Sequence, residues 1–290
     1  MLLRPVGSLA LLLLVAAPEL LSQAQPVPLL QADRSAAQLS SDSGFARAAR
    51  TSLSRSAILL WPAAPVVSGR TELETFLGLH RTDSLRLAWQ PLGMRLAADS
   101  SLGVTWGVAV TTSRAAPEPP RLGRYIAVWQ RDPDRWSIAA LVFMGIEAPR
   151  PTTTWSGLPA TQAPHSTGGS AGRFIAADLA FARLAGDSGA GPAFRAYAAE
   201  DALSFGGGSL LVQGPLPISQ AVSGPERWSW HPVAAGAAKD GNLGWTVGEA
   251  IIRDREGTPN YSKYLTVWTR NENGQIRFLL DGGNARPASP

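Results

Sequence analysis

The sequence predicts an α+β protein made of two tandem cone-shaped domains, each with N-terminal helices packed on a strongly curved antiparallel sheet. Two observations carry this. The first is a duplication. Arg124-Tyr125-Ile126-Ala127-Val128-Trp129-Gln130-Arg131 returns as Lys263-Tyr264-Leu265-Thr266-Val267-Trp268-Thr269-Arg270, and Leu102-Gly103-Val104-Thr105-Trp106-Gly107 returns as Leu243-Gly244-Trp245-Thr246-Val247-Gly248. Asp42-Ser43-Gly44 returns as Asp187-Ser188-Gly189, each nine residues after a further aspartate, Asp33 or Asp178. The landmarks keep their order, and each unit is long enough to bury a core of its own, so the repeat is of a whole domain. The second observation is the element order, helices first and then a run of strands, which is an α+β arrangement.

Each half opens with a helix. Phe174, Ala177, Phe181 and Leu184 recur at helical spacing, and Leu29, Ala32, Ala36 and Leu39 match them. Gly186 then reads as a C-cap, and Asp187 or Asp42 introduces a second short helix over 193–199 or 45–51. A short strand follows at 58–61 or 202–205. A third helix fits 71–79, where Leu73, Phe76 and Leu77 share a face, whereas Pro215 and Pro217 weaken it in the second half. The back of each half is strand: 85–92, 103–112, 124–131 and 136–143, then 228–234, 243–253, 262–270 and 275–280. Asn273-Gly274 between two apolar runs is a hairpin signal.

The segments outside these units read differently. Arg4 precedes the apolar run 9–17, and Ser22-Gln23-Ala24 offers small residues for a signal peptidase, so 1–24 reads as a leader that directs export. Residues 148–172 are rich in Pro, Thr, Ser and Gly, a composition that resists helix and sheet, and they read as a linker in which Trp155 stands out. The two domains are thus 29–147 and 173–286. No other stretch approaches the roughly 20 apolar residues of a membrane span. The absence of cysteine excludes disulfides, thiolate metal sites and cysteine nucleophiles. The net charge of +4 is dispersed rather than gathered in a patch, which argues against nucleic acid as a partner.

Helix, helix, short strand, helix, then long strands ending in Tyr-x-x-Val-Trp-x-Arg and a hairpin resembles the nuclear transport factor two-like superfamily, in particular its SnoaL-like and uncharacterised bacterial branches. The matching residues are 263–270, Asn273-Gly274 and 278–281. The first half matches through 124–131 and keeps Trp136, which the second half replaces by Gln275. The resemblance implies a curved sheet wrapped on helices, hence a cone with an open mouth, within a group of isomerases, cyclases, dehydratases and proteins without known activity. The isomerase set of a strand Asp base with Tyr and Asp proton donors cannot be matched residue by residue.

Candidate site residues come from comparing the halves. Strand alternation puts Trp245, Val247, Glu249 and Ile251 on one face, matching Val104, Trp106, Val108 and Val110. If that bulky face lines the cone, Glu249 replaces a valine in an apolar pocket and suits proton transfer. The competing reading is a Glu at the sheet rim, solvated or paired with Arg253. His231 replaces Gln90 and offers an imidazole, but it alternates with Trp228 and Trp230 and so reads equally as a surface histidine. Asp281 stands where the first half has Val142, as a weak carry-over from the resemblance or as a turn residue. Tyr264, Trp268, Tyr197 and Trp230 complete the expected pocket lining. His80, His165 and His231 lack ligand spacing, so no metal or other cofactor is expected. Three functions remain open: a module binding a small hydrophobic molecule in the second cone, an isomerase, cyclase or dehydratase with Glu249 as base, and a structural protein whose domains pair sheet to sheet within one chain.

Overall fold

The computed structural model describes residues 28–80, 85–113, 120–145, 165–167, 171–205 and 211–288. The segment read as a leader, Trp155 and most of the Pro-rich segment lie outside them. The first half comprises helices α1 (Pro28–Ser43) and α2 (Phe45–Ser52), strands β1 (Leu53–Leu60) and β2 (Val67–Ser68), helix α3 (Gly69–Leu79), then strands β3 (Leu85–Leu96), β4 (Leu102–Ser113), β5 (Arg121–Arg131) and β6 (Trp136–Met144). Strand β7 (His165–Thr167) follows. The second half repeats the order with α4 (Ala171–Ser188), α5 (Ala190–Tyr197), β8 (Ala198–Phe205), β9 (Val212–Gln213), α6 (Pro215–Ala221), β10 (Arg227–Ala237), β11 (Leu243–Arg253), β12 (Pro259–Arg270) and β13 (Ile276–Ala285).

The sheets run β2-β1-β6-β5-β4-β3 and β7-β10-β11-β12-β13-β8-β9. The long strands form antiparallel meanders, but β1 joins β6 and β8 joins β13 in parallel, so both sheets are mixed. The expected C-cap at Gly186 falls inside α4, which runs on to Ser188. The break comes instead at Gly189 (φ 90°), matched by Gly44 (φ 89°) before α2, a backbone region open to glycine at no steric cost. Within the segment read as linker, His165–Thr167 pairs in parallel with Ala234–Gly236, and 171–172 begin α4. Pro215 does not prevent α6 because it occupies the first turn, where its missing N–H has no partner to lose.

Each sheet has two faces with different fates. One face carries its own helices: Leu59, Tyr125, Ala127, Leu141 and Phe143 pack on Phe45, Leu73 and Phe76 in the first half. The opposite faces pack on each other. Ile58, Leu60, Val104, Ile126 and Val142 form one continuous core with Phe205, Trp245, Val247, Leu265 and Leu280. Burial of this many large apolar side chains, about 1.5–3 kcal/mol each, holds the halves together. Polar ties span the seam as well: Asn284 Nδ2 donates to the carbonyls of Leu60 (2.9 Å) and Phe143 (2.7 Å), and Ala63 N–H donates to Ala285 O (3.0 Å). The two sheet units are therefore packed together within one chain. No helix among the described residues is long and apolar enough to cross a membrane.

Candidate functional site

The sheet pairings give the residue-by-residue match between the halves. Ala127 faces Leu141 across β5 and β6, and Thr266 faces Asp281 across β12 and β13. Asp281 thus matches Leu141, not Val142, and Trp136 matches Ile276, not Gln275. The correction is one residue, and the turn supplies it. Asp132 N–H bonds to Arg135 O in the first half, whereas Asn271 N–H bonds to Gln275 O in the second, a turn longer by one residue.

In register, four helix-facing positions change character. Leu59, Ala127, Leu141 and Phe143 become Ser204, Thr266, Asp281 and Gly283. In the first half Phe143 fills the cone, with its ring against Phe45 (5.8 Å), Trp61 (5.8 Å) and Trp89 (5.8 Å). In the second half Gly283 leaves that volume open, and even a Cβ there would collide with the carbonyl oxygen of Lys263. The result is a cavity of about 550 Å³ lined by Phe181, Phe194, Trp228, Trp230, Tyr264 and Asp281, with Ser204 and Thr266 beside the acid. Asn260, which is exposed, also lines it, so the cavity reaches the surface.

The cavity's polar end is a small network. Thr266 Oγ1 donates to Asp281 Oδ1 (2.7 Å). Burial, with the nearby Asp178 adding to it, pushes the Asp281 carboxyl up to about 6, against the Thr266 hydrogen bond. Behind the wall, Asp178 from α4 accepts from Trp230 Nε1 (2.8 Å) and Tyr264 OH (2.9 Å), and burial raises it to about 6 as well. The same triangle stands in the first half, where Asp33 accepts from Trp89 Nε1 (2.6 Å) and Tyr125 OH (2.7 Å). Its presence in the filled half marks the triangle as a device that ties the first helix to the sheet. Asp281 has no counterpart there.

The sequence-based candidates divide between the two faces. Asp281, Tyr264 and Trp230 line the cavity. Trp268 is fully buried behind it, its Nε1 donating to Thr246 Oγ1 (2.8 Å). Tyr197 stands outside the lining with its ring against Phe181 (5.0 Å). Trp245 and Val247 belong to the core between the sheets, so their expected pocket role is corrected. Strand alternation fixes which residues share a face but not which face meets the helices. In β11 the helix side is Thr246, Gly248, Ala250 and Ile252, and Ala250 and Ile252 line the cavity. Glu249 shares the outer face with Trp245 and Val247. It is not in an apolar pocket but lies 3.2 Å from Arg286, with side-chain exposures of 11% and 6%. Opposite it, Lys263 is buried and donates from Nζ to Ala285 O (2.8 Å), and burial holds its ammonium well below the usual range. The expected partner Arg253 instead donates to Gly257 O (3.1 Å). His231 is exposed on the outer side of β10. The three candidates Glu249, His231 and Asp281 therefore do not converge.

Residues that matter here and escaped the sequence reading are Ser204, Thr266 and Gly283, along with Asp178, which served only as a landmark of the repeat. No group of three or more His, Cys, Asp or Glu among the described residues is placed to hold a metal ion.

No family model matches the sequence, and no curated protein matches it. Solved structures similar to it include a ketosteroid isomerase-like protein from Erwinia carotovora atroseptica SCRI1043, at 14% identity over 41% of this chain and 94% of that one, with a TM-score of 0.34. An NTF2-like protein from Cytophaga hutchinsonii matches at 14% identity over 41% of this chain and 95% of its own, with a TM-score of 0.33. An NTF2-like protein with a cystatin-like fold from Novosphingobium aromaticivorans matches at 16% identity over 39% and 79%, with a TM-score of 0.32. Each match spans about two fifths of a chain that holds two similar sheet units.

Proposed function

We propose that the second half binds a compact, largely apolar small molecule in its cavity, with Asp281 addressing the molecule's polar group, while the first half serves as a packed support. The observation that carries this is the exchange of Leu59, Ala127, Leu141 and Phe143 for Ser204, Thr266, Asp281 and Gly283 at matched positions. One copy of the duplicated unit is filled and the other is hollow with a polar end. A cavity of this size falls in the range that holds small ligands, and its mix of aromatic walls and few polar groups is the usual composition of such sites. The Arg4, apolar 9–17 and Ser22-Gln23-Ala24 pattern supports reading 1–24 as a leader of an exported protein, a point tested by finding whether the protein recovered from outside the cytoplasm begins at Gln25.

The test of binding is a panel of hydrophobic metabolites, read by thermal unfolding of the wild type beside the Asp281→Leu/Thr266→Ala variant, which restores the first half's side chains. The expected result is a compound that raises the wild-type midpoint and loses most of that effect in the variant. A panel that shifts neither protein would count against the cavity as a binding site. A second reading is acid–base catalysis by Asp281 itself. Its carboxyl, raised to about 6, suits proton transfer near neutral pH, and Tyr264 stands beside it. Turnover of a bound compound that Asp281→Asn abolishes without loss of binding would favour it.

A further inference from the structure

We propose that the molecule taken by this cavity is an organic cation, an amine or quaternary ammonium carried on an apolar body, with its positive head at Asp281 among the rings of Phe181, Phe194, Trp228, Trp230 and Tyr264. This rests on reading the cavity as a ligand site.

The charges and the rings argue in the same direction. Asp281 on β13 lines one end of the cavity, and Asp178 on α4, behind that wall, adds its negative charge to the surroundings of Asp281. Hydroxyl and indole donors face them, from Thr266, Tyr264 and Trp230, and among the described residues no basic group acts on either carboxyl. A buried carboxylate without a counter-ion is costly, and a cationic ligand supplies the missing charge. Among the described residues, the two basic ones that border the cavity, Lys263 and Arg286, are already engaged. Lys263 and Tyr264 are adjacent in β12 and so point to opposite faces. Lys263 Nζ is bound to Ala285 O, and its burial disfavours the charged form. Arg286 faces Glu249 at 3.2 Å and lies over the Tyr261 ring (5.1 Å). Around the polar end, the balance of charge is negative. Aromatic walls complete the fit, since ring faces attract alkylammonium groups most strongly where water is excluded. A neutral hydrophobic ligand would use the rings and leave the carboxylates without a counter-ion.

The test uses the full chain and matched probe pairs: trimethylammonium compounds and their carbon isosteres, with bodies ranging from benzyl to adamantyl. Benzyltrimethylammonium and neopentylbenzene, for instance, differ only in nitrogen for carbon at one atom. Affinity is read by quenching of the tryptophans around the cavity at pH 7.5. The expected result is that the cation of at least one pair binds about tenfold or more tighter than its isostere. That preference should fall several-fold in Asp281→Asn, to what the rings alone supply. It should also shrink in the wild type at pH 5, where Asp281 is protonated and the quaternary probe cannot titrate. Isosteres that bind as well as the cations, with no effect of Asp281→Asn or of pH, would overturn the cation assignment and leave the binding cavity standing. No binding by any member of any pair would overturn both.

Discussion

The main-chain N–H of Asp240 donates to the carboxylate of Asp99 (2.6 Å), and the N–H of Asp99 donates back to the carboxylate of Asp240 (3.4 Å). These residues hold matched positions in the turns that follow β3 and β10. Residue i bonding to j while j bonds to i is the mark of a twofold interface. Here it lies within one chain, so the two halves meet through a self-complementary contact of the kind a symmetric dimer makes. Both turns are exposed, so either Asp99→Ala or Asp240→Ala should cost no more than about 1 kcal/mol in urea unfolding. Because each variant breaks part of a shared pair, the double variant should cost less than the sum. Strict additivity would mean the two turns are energetically independent.

Phe143→Ala should destabilise the protein by about 3–5 kcal/mol, the usual cost of emptying an aromatic site in a core that cannot collapse. Phe143 touches Phe45, Trp61, Trp89 and Tyr125, all in the first cone. Urea unfolding checks this. A loss below about 1 kcal/mol would show that the first cone collapses freely, and the contrast of a filled and a hollow half would lose its force.

Asp33→Asn and Asp178→Asn should each cost about 1–3 kcal/mol, and by similar amounts. Each aspartate accepts from one Trp and one Tyr, whereas an asparagine turns an N–H₂ group toward one of those donors and leaves it buried without a partner. Equal losses measured by chemical denaturation would fit a shared structural role. A loss confined to Asp33→Asn, with ligand binding altered in Asp178→Asn, would instead make Asp178 part of the site.

The fold was legible because duplication supplies its own control. The landmarks Asp33 and Asp178, Tyr125 and Tyr264, and Trp129 and Trp268 turn out to be the buried anchors of both halves. The candidate site was legible only in part. Asp281 was found as an ionisable group special to one half, but Glu249 was found by the same argument and lies on the wrong face. Period-two alternation is symmetric, and both faces of these sheets are buried, so neither hydrophobicity nor spacing tells the helix side from the seam. The better signal was the exchange of Leu, Ala, Leu and Phe for Ser, Thr, Asp and Gly. Reading it required the one-residue correction in register that the longer 271–275 turn introduces.

Stability should depend on pH in a way that Asp281 partly controls. Burial first, and the neighbouring Asp178 second, raise Asp281 from 3.8 to about 6, and burial does the same to Asp178. Between those values the unfolded chain has released protons that the folded chain still holds. These groups therefore favour folding most below about pH 4, and that benefit is lost as pH rises to about 6. For each group the displacement corresponds to roughly 3 kcal/mol. Lys263, lowered by burial, works in the opposite sense, so the readout is a difference between two proteins. Asp281→Leu/Thr266→Ala should be more stable than the wild type at pH 7.5, and its advantage should shrink at pH 5. Parallel pH profiles in urea unfolding would show that Asp281 titrates normally.

Glu249→Gln should act on stability and leave ligand binding in the second cone untouched. Glu249 lies on the seam side of β11 and is nine-tenths buried, 3.2 Å from Arg286. Lys263 is its cross-strand neighbour and is fully buried. Neutralising the carboxylate leaves two basic groups close together with no acid between them, and removing one member of a buried pair commonly costs about 3–5 kcal/mol. Glutamine keeps the shape and one acceptor oxygen, which should hold the loss to about 1–3 kcal/mol. The affinity of any compound found in the cavity should change less than twofold, because Glu249 does not line it. Measuring both on the same sample separates the two faces of the sheet. A stable Glu249→Gln protein with weakened binding would return Glu249 to the site and contradict the face assignment.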